Sequence, residues 1–458
     1  MEMFFSNKEV IRAWENVVKK LNASGFKGAI VGGAVRDVFM GKTPTDIDIA
    51  TNATPEEVCS IFKGAKLVGE SFGVCRWNGY EIATYRNDVH NGIGDTCCTV
   101  RYTDDLIEDL RRRDFTMNAC AYERHPDGTT HFVMAQAGCL DDIENKRLDF
   151  VGNAEDRIRE DPNRSFRAYR MICKTGFLPS YATAKIIYNR GIVEKYLPYI
   201  APERIGKELI KSMEEPFSWN FFRCLYRSGI MYTLIPEMAQ AWNIWGGKYH
   251  AEYVGEHLMA VGMGISAKFP LLRLAGYLHD VGKGVTHEDG SFIRHEKEGV
   301  HIARRFLKSL KFSTKDTEKV CNIIRCHMRR FGENETPATN RRTLAYLAKH
   351  NVCTYDFIRL RIADHNGNFA CKKMKFRDIK SLVRCWDTYQ FEKQAAHSRK
   401  MLAINGRDIM KEFNIPPSRL VGEMIEFAHN IVLDNVDKNE YSILINEIKK
   451  RFGGSNGE

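Results

Sequence analysis

Residues 29–50, AIVGGAVRDVFMGKTPTDIDIA, decide the reading of this chain. The apolar run from Ala29 to Val31 reads as a strand, Gly32 and Gly33 turn the backbone, a helix opens at Ala34, and a second strand carries Asp46 and Asp48. Successive side chains of a strand point to opposite faces, so two aspartates separated by Ile47 share one face about 7 Å apart. Such a pair suits hard cations. Mg²⁺ takes oxygen ligands and keeps waters and substrate phosphates in its shell, which an open pair of carboxylates permits.

The residues just upstream extend the same chemistry. Paired glycines let the backbone approach a ligand closely, the helix start presents free N–H groups to an anion, and Arg36 adds positive charge. Together these parts describe metal-dependent phosphoryl or nucleotidyl transfer, with two ions on the attacking and leaving oxygens. An Asp-x-Asp alone is usually a solvated strand end and a Gly-Gly alone a turn; their ordered combination carries the reading.

Working outward, 458 residues with 43% hydrophobic and 28% charged content fit a globular chain of about two to four domains. The formal net charge is +10. Its basic residues gather at Arg111 to Arg113, Arg157 to Lys174 and Lys372 to Arg384, which fits a polyanionic partner such as RNA, although dispersed lysines are ordinary surface. Thirteen cysteines, with no Cys-x-x-Cys pair, point to reduced thiols rather than a disulfide framework or a thiolate zinc site. No apolar run reaches membrane-spanning length, and MEMFFSNKEV lacks the basic start and apolar core of a signal peptide, so a cytoplasmic, soluble protein is expected.

GGAVRD followed by DIDIA resembles the signature of the class II tRNA nucleotidyltransferases (CCA-adding enzymes) and the related bacterial poly(A) polymerases. The resemblance continues in RRRDFTMNA (111–119), GCLDDIENKRLDFVG (138–152), EDPNRSFRAYR (160–170) and ERIGKEL (203–209). It implies an α+β fold: a nucleotidyltransferase head with a small mixed β-sheet and helices over 1–152, a helical neck over 153–245 for nucleotide selection and RNA binding, an HD domain over 246–395 and a helical region over 396–458. It also implies that Asp46 and Asp48 bind Mg²⁺ and that Gly33, Arg36 and Arg113 hold the triphosphate. Asp114 is then expected at the ribose, its plain alternative being a helix cap.

Hydrophobic periodicity supplies the local elements. Val10, Ile11, Trp14, Val17, Val18 and Leu21 recur at helical spacing over 8–23, and Thr54 with Pro55 opens a second helix. Short strands are expected near Lys66–Val68, Gly73–Trp77 and Tyr80–Tyr85. The alternation of EIATYR offers Glu81 as a third acid beside the aspartates, against the plainer reading of a solvated strand residue. Residues 87–99 lack periodicity and read as a loop, and LIEDLRRRDFTMNAC reads as a helix. From about Ala201 the chain is almost wholly helical, and Gly246-Gly247 marks a boundary.

In EDPNRSFRAYR, Asp161, Arg164, Arg167 and Arg170 fall at every third residue, along one stripe of a helix. A solvated basic stripe is the ordinary explanation, but the chemistry allows a sharper one. Cytosine and adenine present an amine donor beside a ring-nitrogen acceptor, whereas uracil and guanine put a carbonyl where the amine stands. A carboxylate from Asp161 beside a guanidinium from Arg164 matches C and A and rejects U and G. The resemblance implies the same: base choice by a protein template.

Further on come His257, the adjacent His279 and Asp280 in LHDVGKG, His295, His327 and Asp364. Imidazoles and carboxylates are borderline ligands for divalent transition metals, and this order resembles the two-metal form of the HD phosphohydrolase domain. Its metal is unidentified, with one or two ions expected. The segment 401–430 resembles the helical region that follows HD domains in this family, for tRNA contact or packing, and its PPSRLVGEM departs slightly from the usual Pro-Gly-Pro form.

The expected activity is therefore template-independent addition of CMP and AMP, from CTP and ATP, to the 3′ end of tRNA, with possible HD phosphohydrolysis beside it and neither DNA nor a membrane as partner. Rival readings are a poly(A) polymerase, an HD phosphohydrolase with an inert first half, and an RNA-binding protein without catalysis. One departure bears on the product. CCA-adding relatives commonly carry an Asp-x-Arg-Arg-Pro run after the Thr-[Phe/Tyr]-Arg strand, whereas residues 87–99 here hold no Lys, Arg or Pro and offer Gly92, Gly94, Cys97 and Cys98 instead. Addition of A alone is the outcome this difference allows.

Overall fold

The computed structural model describes residues 7–68, 73–90, 92–94, 98–127, 129–248, 250–287, 291–390 and 399–452. They form two compact units, Met1–Thr233 and Leu234–Glu458.

The first unit is built on a mixed sheet with strand order β3-β4-β5-β2-β1-β8-β9. Its strands are β1 (Gly28–Val31), β2 (Asp48–Thr51), β3 (Lys66–Val68), β4 (Val74–Trp77), β5 (Tyr80–Thr84), β8 (Cys120–Arg124) and β9 (Thr130–Met134). All four residues of β1 are buried, as a central strand covered on both faces must be. One covering layer is the helical run 8–23, whose middle turn, Trp14–Val18, is π-helical and buries Trp14, Val17 and Val18. The helix Pro55–Ile61 starts as its sequence dictates, with a capping box between Thr54 and Glu57 and Pro55 in the first turn.

Strand β2 pairs antiparallel with β1 and parallel with β5, which places Asp48 in register with Glu81. The turn between β1 and the helix Gly33–Phe39 requires Gly32. Its φ is +71°, and an added Cβ would sit 2.9 Å from Arg113 Nη1, so both conformation and space exclude a side chain.

Three local expectations are corrected. Residues 87–99 are not simply a loop: β6 (Arg86–His90) and β7 (Cys98–Tyr102) pair antiparallel as a separate ribbon, with Arg86 opposite Tyr102 and His90 opposite Cys98. The ribbon lies outside the main sheet, and the β6 side chains that turn inward, Arg86, Asp88 and His90, are polar, so the strand carries no apolar alternation to read. Cys97 lies outside the described residues.

The run LIEDLRRRDFTMNAC is not one helix. The α-helix stops at Arg111, the chain then pairs with 149–151 through Val151 N–H to Asp114 O and Thr116 N–H to Asp149 O, and only a 3-10 turn, Thr116–Asn118, follows. Asp161, finally, is not on the arginine helix. It ends the helix Ala154–Glu160 with φ −135° and ψ 98°, as the following Pro162 demands, and the helix Arg164–Thr175 begins afresh.

The second unit is helical. Its main helices are Val254–Met263, Pro270–Leu278, His295–Ser309, Thr314–Cys326 and Thr354–Gly367. Gly246, read as a boundary residue, lies inside this unit, where its N–H donates to Glu252 O at 2.9 Å. The helix Pro236–Ala241 packs on Lys283–Thr286. A Cβ at Gly282 would fall 2.1 Å from the backbone oxygen of His295, so this glycine lets the segment after His279 and Asp280 press directly against the next helix. Helices Gly406–Phe413, Arg419–Asp434 and Tyr441–Phe452 close a separate small core around Ile409, Met424, Val432 and Leu444. Among the described residues no helix is long and apolar enough to cross a membrane, and the cysteines whose side chains are described are free.

Candidate active site and HD centre

Eight of the residues singled out by sequence line one cleft in the first unit: Gly33, Arg36, Asp48, Arg113, Asp114, Asp161, Arg164 and Arg167. Its volume is about 980 Å³, room enough for a nucleotide with its phosphates. Asp46, exposed, precedes β2 next to this cleft. Arg170 is not among the lining residues; its guanidinium pairs with Glu208.

The carboxylate edge stands at the start of β2. Enclosure by the protein raises the Asp48 carboxyl above its ordinary range; Arg113 opposes this, and the charges of Asp46 and Glu81 add to it. Glu81 is thus an electrostatic neighbour of Asp48, although its own carboxylate pairs with Arg76. Three carboxylates crowded at one strand end, all oxygen donors, fit a hard divalent cation, which relieves the repulsion among them.

The cleft arginines are anchored by acids. Asp109, 1% exposed, accepts from Arg112 Nη2 at 2.6 Å and from Arg113 Nη2 at 3.1 Å. Asp114 accepts from Arg164 Nε at 2.7 Å and pairs with Arg167 Nη2 at 2.6 Å. Burial alone would raise the Asp114 carboxyl, but Arg167 and Arg164 hold it below the ordinary carboxylate range. Asp114 is therefore an anchor for the cleft arginines and not a helix cap. Arg164 donates further to Glu160 Oε2 and to the Arg157 carbonyl.

Asp161 accepts from Arg204 Nη2 at 2.8 Å and from the Asn163 N–H at 3.1 Å. Asp161 and Arg164 thus line one cleft, their side chains held by different partners, while the Arg164 backbone N–H donates to the Asp161 carbonyl at 3.0 Å. Arg36, 2% exposed, donates to Asn118 Oδ1 and Asp37 Oδ1, both at 2.6 Å. Sequence reading passed over Asp109, Glu160, Arg204, Asn118 and Lys174. Lys174, another cation lining the cleft, had no signal beyond its place in a basic stretch.

In the second unit all six residues of the HD set converge. His257 Nε2 lies 3.0 Å from Asp364 Oδ1 and His279 Nε2 lies 3.5 Å from the same oxygen. On the other side of Asp280, Oδ1 is 3.0 Å from His295 Nε2 and 3.3 Å from His327 Nε2. Three of the imidazoles are oriented identically: Nδ1 of His279, His295 and His327 faces the carbonyls of Gly276, Phe292 and Ile324 at 2.9, 2.7 and 2.7 Å. Those carbonyls accept the hydrogen bond of Nδ1–H, so that in the neutral ring the Nε2 lone pair faces the centre, as metal-ligating histidines are held.

His279 Nε2 is buried and has no hydrogen-bond partner, an orphan that a cation satisfies. Burial works against charging His279, while Asp280 and Asp364 hold its pKa up at about 10. The groups His257, His279, Asp364 and His279, Asp280, His327 each bring three ligand atoms within 4.8 Å of one another. The donor set fits a divalent metal.

Residues 29–149 match the model of the poly A polymerase head domain, residues 194–241 that of the probable RNA- and SrmB-binding site of polymerase A, and residues 248–351 the HD domain. This chain is similar to the poly A polymerase head and to the HD domain over those segments. Asp364 lies beyond the matched HD segment, yet the fold returns it to the centre. A CCA-adding enzyme of Geobacillus thermodenitrificans is 35% identical over 228 residues, 49% of this chain and 54% of the relative. Poly(A) polymerase I of Escherichia coli is 29% identical over 249 residues, 51% and 52% of the two chains. This chain thus spans about half the length of these curated relatives. A Bacillus stearothermophilus CCA-adding enzyme, solved in complex with CTP, shares the fold across 96% of this chain and 98% of its own at 23% identity, with a TM-score of 0.65.

The Asp114 anchor yields a stability test. Asp114→Asn leaves two guanidiniums without their carboxylate, and breaking such a buried pair costs about 3 kcal/mol. A carboxyl held low in the folded state stabilises above its unfolded pKa, about 3.9, and loses that contribution as pH falls through the folded value. Urea denaturation should show the full deficit of Asp114→Asn at pH 7 and a smaller one below about pH 4. A variant as stable as the parent at pH 7 would remove the anchor role.

Proposed function

We propose that this chain is a template-independent tRNA nucleotidyltransferase that adds CMP and AMP, from CTP and ATP, to the 3′ end of tRNA, in the cytoplasm. The observation that carries the reading is the single cleft in which the Asp48 carboxylate edge, Arg113 and the Asp161–Arg164 set face one another. The name of the 35% identical relative supports it.

In this reading Asp46 and Asp48 hold Mg²⁺, with Glu81 beside them. The bound ion supplies activation of the terminal 3′ hydroxyl and stabilises charge on the departing pyrophosphate. Arg113 sits over the Gly32 turn, close to Asp48, where it meets the triphosphate. Gly33 and Arg36 form the floor, Arg36 by holding Asn118. Asp161 and Arg164 read the Watson–Crick edge of the incoming base, Arg167 completes the Asp114 pair beside the ribose, and Arg170 braces the helix through Glu208. Because Arg164 is fixed by acceptors on three sides, its position is set before the nucleotide arrives, which keeps selection from depending on a nucleic-acid template. Head (1–152), neck (153–245), HD domain (246–395) and C-terminal helices (396–458) are the proposed division of labour, the last two serving hydrolysis and tRNA contact or packing.

The β6–β7 ribbon favours a second outcome, addition of A alone. Beyond Arg86, it presents Asp88 and His90 to the cleft, with no further arginine. CMP incorporation on tRNA lacking all three terminal nucleotides, compared with AMP incorporation on tRNA ending in CC, distinguishes the outcomes. Full CCA addition predicts both, each abolished by Asp48→Ala; robust AMP with no CMP transfer would replace it by A addition, and long poly(A) products by a poly(A) polymerase.

For the HD centre the proposed chemistry is metal-dependent phosphohydrolysis. Hydrolysis of a 2′,3′-cyclic nucleotide should survive Asp48→Ala and disappear in His279→Ala. No hydrolysis by the parent across nucleotides and cyclic phosphates would leave the centre without this role.

A further inference from the structure

His257 differs from the other imidazoles of the HD centre in what stands behind it. His279, His295 and His327 each back onto a neutral backbone carbonyl. The Nδ1 of His257 has no well-aligned hydrogen-bond acceptor among the described residues, and the atom it faces is Glu252 Oε1 at 3.2 Å. Glu252 itself is fully enclosed, with a side-chain exposure of 0%. Its Oε2 accepts the N–H groups of Ala251 and Phe369, both at 2.9 Å, and its Oε1 lies 2.7 Å from His250 Nδ1. Two backbone donors on one oxygen fix this group as an anion aimed at His257. One of those donors comes from Phe369, five residues past Asp364, so the same carboxylate ties the two segments that supply His257 and Asp364.

We propose that Glu252 is the positioning residue of the HD centre, fixing the Nδ1 proton of His257 so that Nε2 faces Asp364 and His279, and making the ion at those three residues the tighter of the two. A carboxylate behind an imidazole orients the ring and raises its basicity, whereas a carbonyl does the first and less of the second. The ion on the His295–His327 side of Asp280 lacks this support. The inference rests on the metal-binding reading of the HD centre and goes beyond it in ranking the two ions.

The test uses the full chain, stripped with chelator and titrated with Co²⁺, read by visible absorption and by calorimetry. The parent should bind in two steps. Glu252→Gln keeps the shape of the side chain and removes its charge, and should weaken the tighter step about 10–100-fold while leaving the weaker step within about twofold; His295→Ala should lose the weaker step only. An unchanged tighter step in Glu252→Gln, or equal loss in both steps, overturns the proposal and leaves the metal centre standing. A parent that binds no Co²⁺ removes the metal centre and the proposal together. Should Glu252→Gln fail to fold by circular dichroism, Glu252→Asp is read by the same criteria, and failure of both to fold makes Glu252 a structural residue and overturns the positioning role.

Discussion

Asp114 held between two guanidiniums is the interaction on which the cleft depends. Arginines crowded along one helix repel each other and would turn to solvent; a buried carboxylate on another segment draws Arg164 and Arg167 inward. Asp109 does the same for Arg112 and Arg113. The arginine side of the cleft is therefore a set of cations held in position from the protein interior. Carboxylates at the head of β2 repel one another, and the Asp48 pKa, raised first by desolvation, is raised further by the charges of Asp46 and Glu81. A ligand that brings phosphates to the arginines and a divalent cation to the aspartates relieves both at once.

The HD centre repeats this logic with different donors. Asp280 stands between two pairs of imidazoles, and Lys283 Nζ lies 2.6 Å from its Oδ2. Backbone carbonyls orient three of the rings, those of Gly276 and Ile324 in the last turns of helices and that of Phe292 in the segment just before the helix His295–Ser309. His279 and His327 cap helix C-termini, where carbonyls without helical partners are available.

Much of this was legible in the sequence because it is local. The strand, glycine turn and second strand over 29–50 are written in a short stretch, and the order of histidines and aspartates named all six residues that meet in the HD centre. What failed was non-local or depended on backbone detail. The pairing of Asp114 with Arg164 joins residues 50 apart, and that of Asp161 with Arg204 joins residues 43 apart; no spacing rule reaches so far. Asp161 sits at every-third spacing with the arginines, yet Pro162 takes it off their helix. The β6–β7 ribbon was missed because strand pairing by backbone hydrogen bonds leaves no trace in a polar sequence with no core to face. Glu252 escaped notice because one of the backbone donors that fixes it, Phe369, lies 117 residues away.

The central claim is that Asp161 and Arg164, their side chains held by separate partners and lining one cleft, choose the base. The direct measurement is single-turnover incorporation of each of the four nucleotides on tRNA ending in CC by the parent, Asp161→Asn and Arg164→Lys. A polar mismatch left unpaired costs about 1–3 kcal/mol, so both variants should gain UMP or GMP incorporation relative to AMP by a factor of several to more than a hundred. An unchanged ratio among the four nucleotides in folded, active variants would contradict the account.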